Sequence, residues 1–254
     1  MIVGRELSGK LGNIILECVT AFHYCKCAKI PFENLKFFPT GDFRFRYKEF
    51  PIEIKREEKI LKNVINKFDC ESDYSNLKKV PYKLRFYNKY TEDICFTGYT
   101  WTEHMEEIDP QLLLDLFYIK DLVREVYKDY EYYNNDKNLI GFHVRRGDFL
   151  KLCPQKVITK EEYNSTIKNS DKNNKFIVFS DDIEWCKKSL EKENYNKTEF
   201  HSSKNTECGW YDMIALSLIN KIIPGLKGST FSKVARSFSI SRQELIPNLK
   251  DWLK

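Results

Sequence analysis

Apolar and polar positions recur regularly in the second half of the chain and unevenly in the first. Leu7 to Asn13 is a short polar loop with two glycines, Gly9 and Gly12. From Leu11 onward, Ile14, Ile15, Cys18, Val19 and Phe22 fall at the spacing of one helix face. A strand, a glycine loop and a helix therefore open the chain. Pro31 to about Asn76 is irregular, with Pro39-Thr40-Gly41 as a turn and partial helical periodicity over 52–68. Ile94 to Trp101 predicts a short strand running out into an aromatic loop. Asp109 and Pro110 suit the N-cap and first position of a long helix. Its apolar face takes in Leu112, Leu113, Leu116, Ile119, Val123, Val126 and Tyr127. The polar run Asn134–Asn138 reads as a linker, dividing the chain into domains at 1–134 and 135–254.

Beyond the linker, strands and helices alternate. Leu139–Val144, Lys175–Phe179, Thr198–His201 and Lys221–Pro224 are predicted strands. Thr159-Lys-Glu-Glu162 is a capping box that starts a helix, and Ser180-Asp181-Asp182 starts another. Helices are also expected over Tyr211–Ile219, Thr230–Phe238 and Leu245–Leu253, with a loop from Gly225 to Ser229. Such alternation predicts an α/β fold with a parallel sheet.

Composition narrows the class. The 254 residues are 42% hydrophobic and 31% charged, which is globular and long enough for two domains. Net charge is +5, a mild excess that suits an anionic small ligand and falls short of a nucleic-acid-binding signature. The basic and aromatic run Lys78–Tyr90 reads as a solvated strand face. Neither an export signal nor a membrane-spanning run is recognisable, so a cytoplasmic protein without membrane insertion is expected. The eight cysteines show no Cys-x-x-Cys pair, and His23, Cys25 and Cys27 fall within a helical pattern, so reduced thiols are expected rather than a metal site. The sequons at Asn164 and Asn196 read as chance matches.

Three predicted strand ends carry polar side chains: His143, Arg145 and Arg146; Ser180, Asp181 and Asp182; Gly228, Ser229 and Thr230. Strand carboxyl ends of a parallel sheet share one edge, where ligands bind. Arginine binds phosphate or carboxylate through a bidentate fork and stays charged. A helix opening at Ser229 would offer N–H groups and hydroxyls to the same anion. Each residue also has a plainer reading. Arg146 could pair with Asp148 to shape the turn, Asp182 and Ser229 could be simple caps, and His143 could be a core histidine. The chain has no Gly-x4-Gly-Lys-Ser/Thr loop, no Gly-x-Gly-x-x-Gly and no Asp-x-Asp, which removes P-loop nucleotide hydrolases and nicotinamide dehydrogenases and leaves no sign of a metal–diphosphate clamp.

The run Ile140-Gly-Phe-His143-Val-Arg145-Arg146-Gly-Asp148 resembles the His-x-Arg-Arg-Gly-Asp motif of the α-1,2-fucosyltransferases, glycosyltransferase family eleven. Gly9-Lys-Leu-Gly12-Asn13 is similar to the family's Gly-Leu-Gly-Asn loop. Phe179-Ser-Asp-Asp-Ile-Glu-Trp185 is similar to its Phe-Ser-Asp-Asp-x-x-Trp segment, and Asp212–Ser217 with Gly228-Ser-Thr-Phe-Ser232 to its last pair of motifs. The resemblance implies a GT-B fold of two Rossmann-like domains facing across a cleft. The N-terminal domain would take the acceptor side and the C-terminal one GDP-β-L-fucose. It also implies inversion at the anomeric carbon, a glycan acceptor and no required metal. Arg145 would bind the β-phosphate, Gly12 and Asn13 would line the cleft, and Asp212, Ser229 and Thr230 would hold the nucleotide. Arg146, Ser180 and Asp181 join them as candidate donor contacts, and Arg145, His143 and Asp148 are the candidate catalytic residues. Asp148, His143, Asp181, Glu103 and His104 are candidates for the general base. The chain departs from the family pattern at Ser8-Gly9-Lys10 and at Lys233-Val234, which bears on acceptor and linkage more than on donor. The alternatives are a related transferase of another nucleotide sugar and a non-catalytic sugar-nucleotide or glycan-binding protein.

Overall fold

The computed structural model describes residues 1, 3–7, 11–39, 77–81, 91–97, 108–203, 209–224 and 229–254. The chain forms two compact units, Met1–Ile119 with Glu207–Trp210, and Lys120–Thr206 with Tyr211–Lys254.

The first unit holds strand β1 (Val3–Leu7), helix α1 (Leu11–Ala28), strands β2 (Leu35–Pro39), β3 (Lys78–Pro81) and β4 (Ile94–Thr97), and helix α2 (Pro110–Phe117). The strands pair in parallel in the order β2-β1-β4-β3. Helix α1 is buried over most of its surface, and Tyr24 sets its ring edge-on to Phe96 at 4.9 Å. The same helix buries Glu17, which faces Arg5 of β1 at 3.4 Å. Arg5 also donates to the Phe96 carbonyl at 3.1 Å, so this charge pair ties α1, β1 and β4 together. Asp109 caps α2 through the amides of Gln111 and Leu112, with Pro110 at the first helical position.

The second unit begins with helix α3 (Lys120–Asn135), followed by β5 (Leu139–Val144), α4 (Phe149–Leu152), α5 (Lys160–Lys168), β6 (Lys175–Ser180), α6 (Ile183–Ser189), β7 (Thr198–Phe200), α7 (Gly209–Leu218, whose first two residues group with the first unit), β8 (Lys221–Pro224), α8 (Thr230–Leu245) and α9 (Leu249–Trp252). Its strands are also parallel, in the order β7-β6-β5-β8. All six residues of β5 are buried, as befits a strand covered on both faces. A Cβ at Gly141 would lie 2.6 Å from Leu216 Cδ1, so α7 packs directly on the β5 backbone.

Three expectations need correction. The long helix from Pro110 is interrupted twice: Tyr118 takes ψ 71° and ends the ladder after Phe117, and Tyr130 takes φ −132° and ψ 34°, which kinks α3. The division between units falls at 119/120 and not at 134/135. Helix α3 sides with the second unit, where Tyr130 donates to the Ser202 carbonyl at 2.7 Å and Arg242 to Asn134 at 2.8 Å. The polar run 134–138 is the turn from α3 into β5, with Leu139 N bonded to Asp136 O at 3.2 Å. At the carboxyl end, α8 runs on to Leu245 and only one turn, α9, follows. Pro247 disfavours helix at Ile246 before it, which takes φ −129° and ψ 65°.

Candidate active site

In the second unit the chain steps outward from β5 to β6 and β7, then returns to the other side of β5 as β8. The sheet's switch point therefore lies between β5 and β8, and ligands of such sheets bind beyond the carboxyl ends there. The strand β5 ends at Val144 and delivers Arg145 to that edge. Two carboxylates hold it: Nη2 donates to Asp148 Oδ1 at 2.5 Å and Nη1 lies 2.7 Å from Asp181 Oδ2. They take up two of a guanidinium's five N–H donors. The Arg145 side chain is 18% exposed, enough for the rest of the fork to meet a ligand.

Asp181 is fixed in turn. Its Oδ1 accepts the Arg146 amide at 2.8 Å, and a Cβ on Gly147 would come within 2.4 Å of its Oδ2. Gly147 is required by this close approach. Arg146 turns away from Asp148. Its Nε donates to Asp182 Oδ2 at 3.2 Å, and its guanidinium lies 3.6 Å from the centre of the Trp185 ring. The alternative in which Arg146 pairs with Asp148 is thus replaced, because the register Val144↔Ser180 brings the aspartates that follow β6 alongside both arginines. Asp182 does cap α6, accepting from Trp185 N at 3.1 Å, and Ser180 Oγ accepts the Asp182 amide at 2.9 Å.

His143 is buried. Its Nδ1 lies 3.4 Å from Ser229 Oγ, and its ring stacks on Phe231 at 4.9 Å. Burial, reinforced by the Arg145 charge, pushes its pKa down to about 3, so the ring stays neutral and is a weak base. The Ser229 hydroxyl is turned to His143 and makes no cap to α8, contrary to the capping alternative. Ser229 and Thr230 nonetheless stand at the N-terminus of a 16-residue helix, whose dipole favours an anion.

Asp212 lies in α7, where Oδ1 faces Nε2 of His201 at 3.1 Å. His201 was not among the sequence candidates. A histidine directly after a strand on the carboxyl edge was the available signal. Gly12 and Asn13 belong to the first turn of α1 in the first unit, Gly12 buried and Asn13 half-buried. Gly9, Lys10, Gly228 and the base candidates Glu103 and His104 lie outside the described residues. The cysteines of α1 are free thiols: Cys18 and Cys25 are buried, and exposed Cys27 has its Sγ 3.4 Å from His23 Nε2. Among the described residues no three His, Cys, Asp or Glu side chains form a metal-ligand group, and no helix is long and apolar enough to cross a membrane.

Two Rossmann-like parallel α/β units give the chain a GT-B-like fold. The sequence profile of Glycosyl transferase family 11 matches residues 42–248, and the chain belongs to that family. Among solved structures it is similar to NodZ α-1,6-fucosyltransferase co-crystallised with GDP, with a TM-score of 0.52 and 14% identity over 92% of this chain and 91% of that one. It is also similar to fucosyltransferase NodZ from Bradyrhizobium, with a TM-score of 0.51 and 12% identity over 92% and 91%. No curated protein sequence matches the chain.

Proposed function

We propose that the chain transfers L-fucose from GDP-β-L-fucose to a glycan hydroxyl, with inversion to an α-1,2 linkage. The observation that carries this reading is Arg145, held between Asp148 and Asp181 at the carboxyl end of β5. The acceptor hydroxyl passes its proton to a base as its oxygen attacks C1 of fucose from the face opposite GDP, the C1–O bond breaks, and charge grows on the departing diphosphate. Arg145 meets that charge with donors already oriented, and the N-terminus of α8 adds its dipole. Asp148 and Asp181 act by aiming Arg145, Arg146 and Ser180 by fixing the turn around them, and His143 by fixing Ser229. Asp212, with Ser229 and Thr230, holds the nucleotide. Membership of family 11 and the likeness in fold to NodZ, which was crystallised with GDP, support the choice of donor. The α-1,2 linkage rests on the ordered set of four motifs and its resemblance to the α-1,2 enzymes, since the His143–Asp148 core by itself is shared more loosely with the α-1,6- and protein O-fucosyltransferases.

A thermal-shift panel of GDP, UDP and GDP-fucose tests the donor: GDP and GDP-fucose raise Tm. Stabilisation by UDP and not by GDP would reassign it to another nucleotide sugar. Slow release of GDP from GDP-fucose without acceptor separates an enzyme from a binding protein. The product's linkage follows from its NMR spectrum.

A further inference from the structure

Three side chains from three elements form a hydrogen-bonded line at the carboxyl edge of the second sheet. Tyr133 of α3 places its hydroxyl 3.0 Å from Nδ1 of His201, which directly follows β7. Nε2 of His201 lies 3.1 Å from Oδ1 of Asp212 in α7. The line runs outward, with Tyr133 and His201 buried and the Asp212 side chain 36% exposed. An ionised carboxylate only accepts, so Nε2 carries the proton between His201 and Asp212. In the neutral imidazole Nδ1 is then an acceptor, and the Tyr133 hydroxyl donates to it. Burial raises the pKa of that hydroxyl, which keeps its proton.

The imidazole has little room to turn. Phe179 stacks on it at 4.1 Å and 21°, Tyr130 lies 5.0 Å away, and the His201 amide donates to the Val178 carbonyl at 2.9 Å. One oxygen of Asp212 is therefore tied to a rigid donor, which sets the plane of a carboxylate that still reaches solvent.

We infer that His201 is a positioning residue that holds the Asp212 carboxylate in one orientation for the nucleotide, with Tyr133 fixing the form of imidazole that does so. This rests on the placing of Asp212 at the nucleotide. A side chain that must be ordered on binding weakens affinity, and one already ordered does not.

The test is calorimetric titration of GDP into the full chain as wild type, Asp212→Asn, His201→Phe and the double variant. His201→Phe weakens GDP binding about tenfold, and Asp212→Asn weakens it at least as much. The double variant binds no more weakly than Asp212→Asn alone. His201→Gln, which keeps a side-chain donor, recovers most of the loss, and kcat at saturating donor stays near the wild-type value in both His201 variants. Additive losses in the double variant, or an unchanged affinity in His201→Phe beside a weakened Asp212→Asn, overturn the positioning role alone. An unchanged affinity in Asp212→Asn overturns the placing of Asp212 and the inference with it. Should His201→Phe fail to fold, Tyr133→Phe, which removes one oxygen, takes its place in the cycle, with a smaller loss that vanishes in the Asp212→Asn background.

Discussion

Gly147 owes its identity to the carboxylate of Asp181, which would touch any Cβ at that position. Asp181 has nowhere to retreat while it holds Arg145 and the Arg146 amide. Gly147→Ala should cost about 1–3 kcal/mol of stability and lower kcat/KM about tenfold or more as Arg145 is displaced. Urea unfolding and steady-state kinetics check the two effects. Arg145→Ala should leave the fold intact and lower kcat about 100-fold or more. Arg145→Lys should do little better, because a point charge on a flexible stem cannot hold both carboxylates and a phosphate; near-wild-type turnover in either variant would sink the assignment. His143 makes stability depend on pH. The unfolded ring takes a proton below about pH 6.5, whereas the folded one does so only near 3. Between these values the unfolded state binds more protons, so this contribution is complete above about pH 6.5 and falls by up to about 1.4 kcal/mol per unit as pH drops. Unfolding at pH 7 and pH 5 should show a smaller drop for His143→Gln than for wild type. Arg145 and Asp181 were legible in the sequence because each follows an apolar run that stops abruptly. Their partners were not, because the pairing depends on the long-range register of β5 and β6. His201 gained meaning only when α3 and α7 brought Tyr133 and Asp212 to it.

At the scale of elements, Asp182 serves two purposes. One oxygen caps α6 and the other holds Arg146. Asp182→Ala should cost about 1–2 kcal/mol, read from urea unfolding, while Asp182→Asn keeps the cap and most of the stability; equal losses would show that charge matters more than the cap. Local signals were the ones the sequence displayed well. The bounds of β5 and the reciprocal capping box of Thr159 and Glu162 match expectation, since each is encoded within a few neighbouring residues. The helix α8 outran its expected end because its buried face is partly polar. Ser239 donates to the Ile219 carbonyl at 2.7 Å, and Arg242 donates to the Leu218 carbonyl at 3.2 Å and to Asn220 at 2.7 Å. A pattern of apolar positions does not register such a face. The break at Tyr118 was hidden for the opposite reason. Apolar periodicity continues through it, although α2 and α3 belong to different units.

For the whole molecule, the two units share a plan: in each, the opening strand lies between the next strand in the chain or sequence order and one that arrives later, β1 between β2 and β4, β5 between β6 and β8. The repetition of strand, helix and strand made the α/β class legible. The division between units was not, because a turn inside one unit is as polar as a linker between two. The switch point of the second sheet also has a kinetic consequence. Pairing β5 with β6 joins residue 139 to 175, whereas pairing it with β8 joins 140 to 221, more than twice the separation. Each doubling of a closed loop costs about 0.6 kcal/mol of chain entropy, so the β5–β6 ladder should close first and β8 dock late. The crevice between β5 and β8 is then the last part of this sheet to exist. In stopped-flow refolding, far-UV ellipticity should recover before the capacity to bind GDP, and simultaneous recovery would argue against this order. A chain caught between the two events would carry most of its secondary structure and Arg145, yet lack the strand that closes the crevice beside β5.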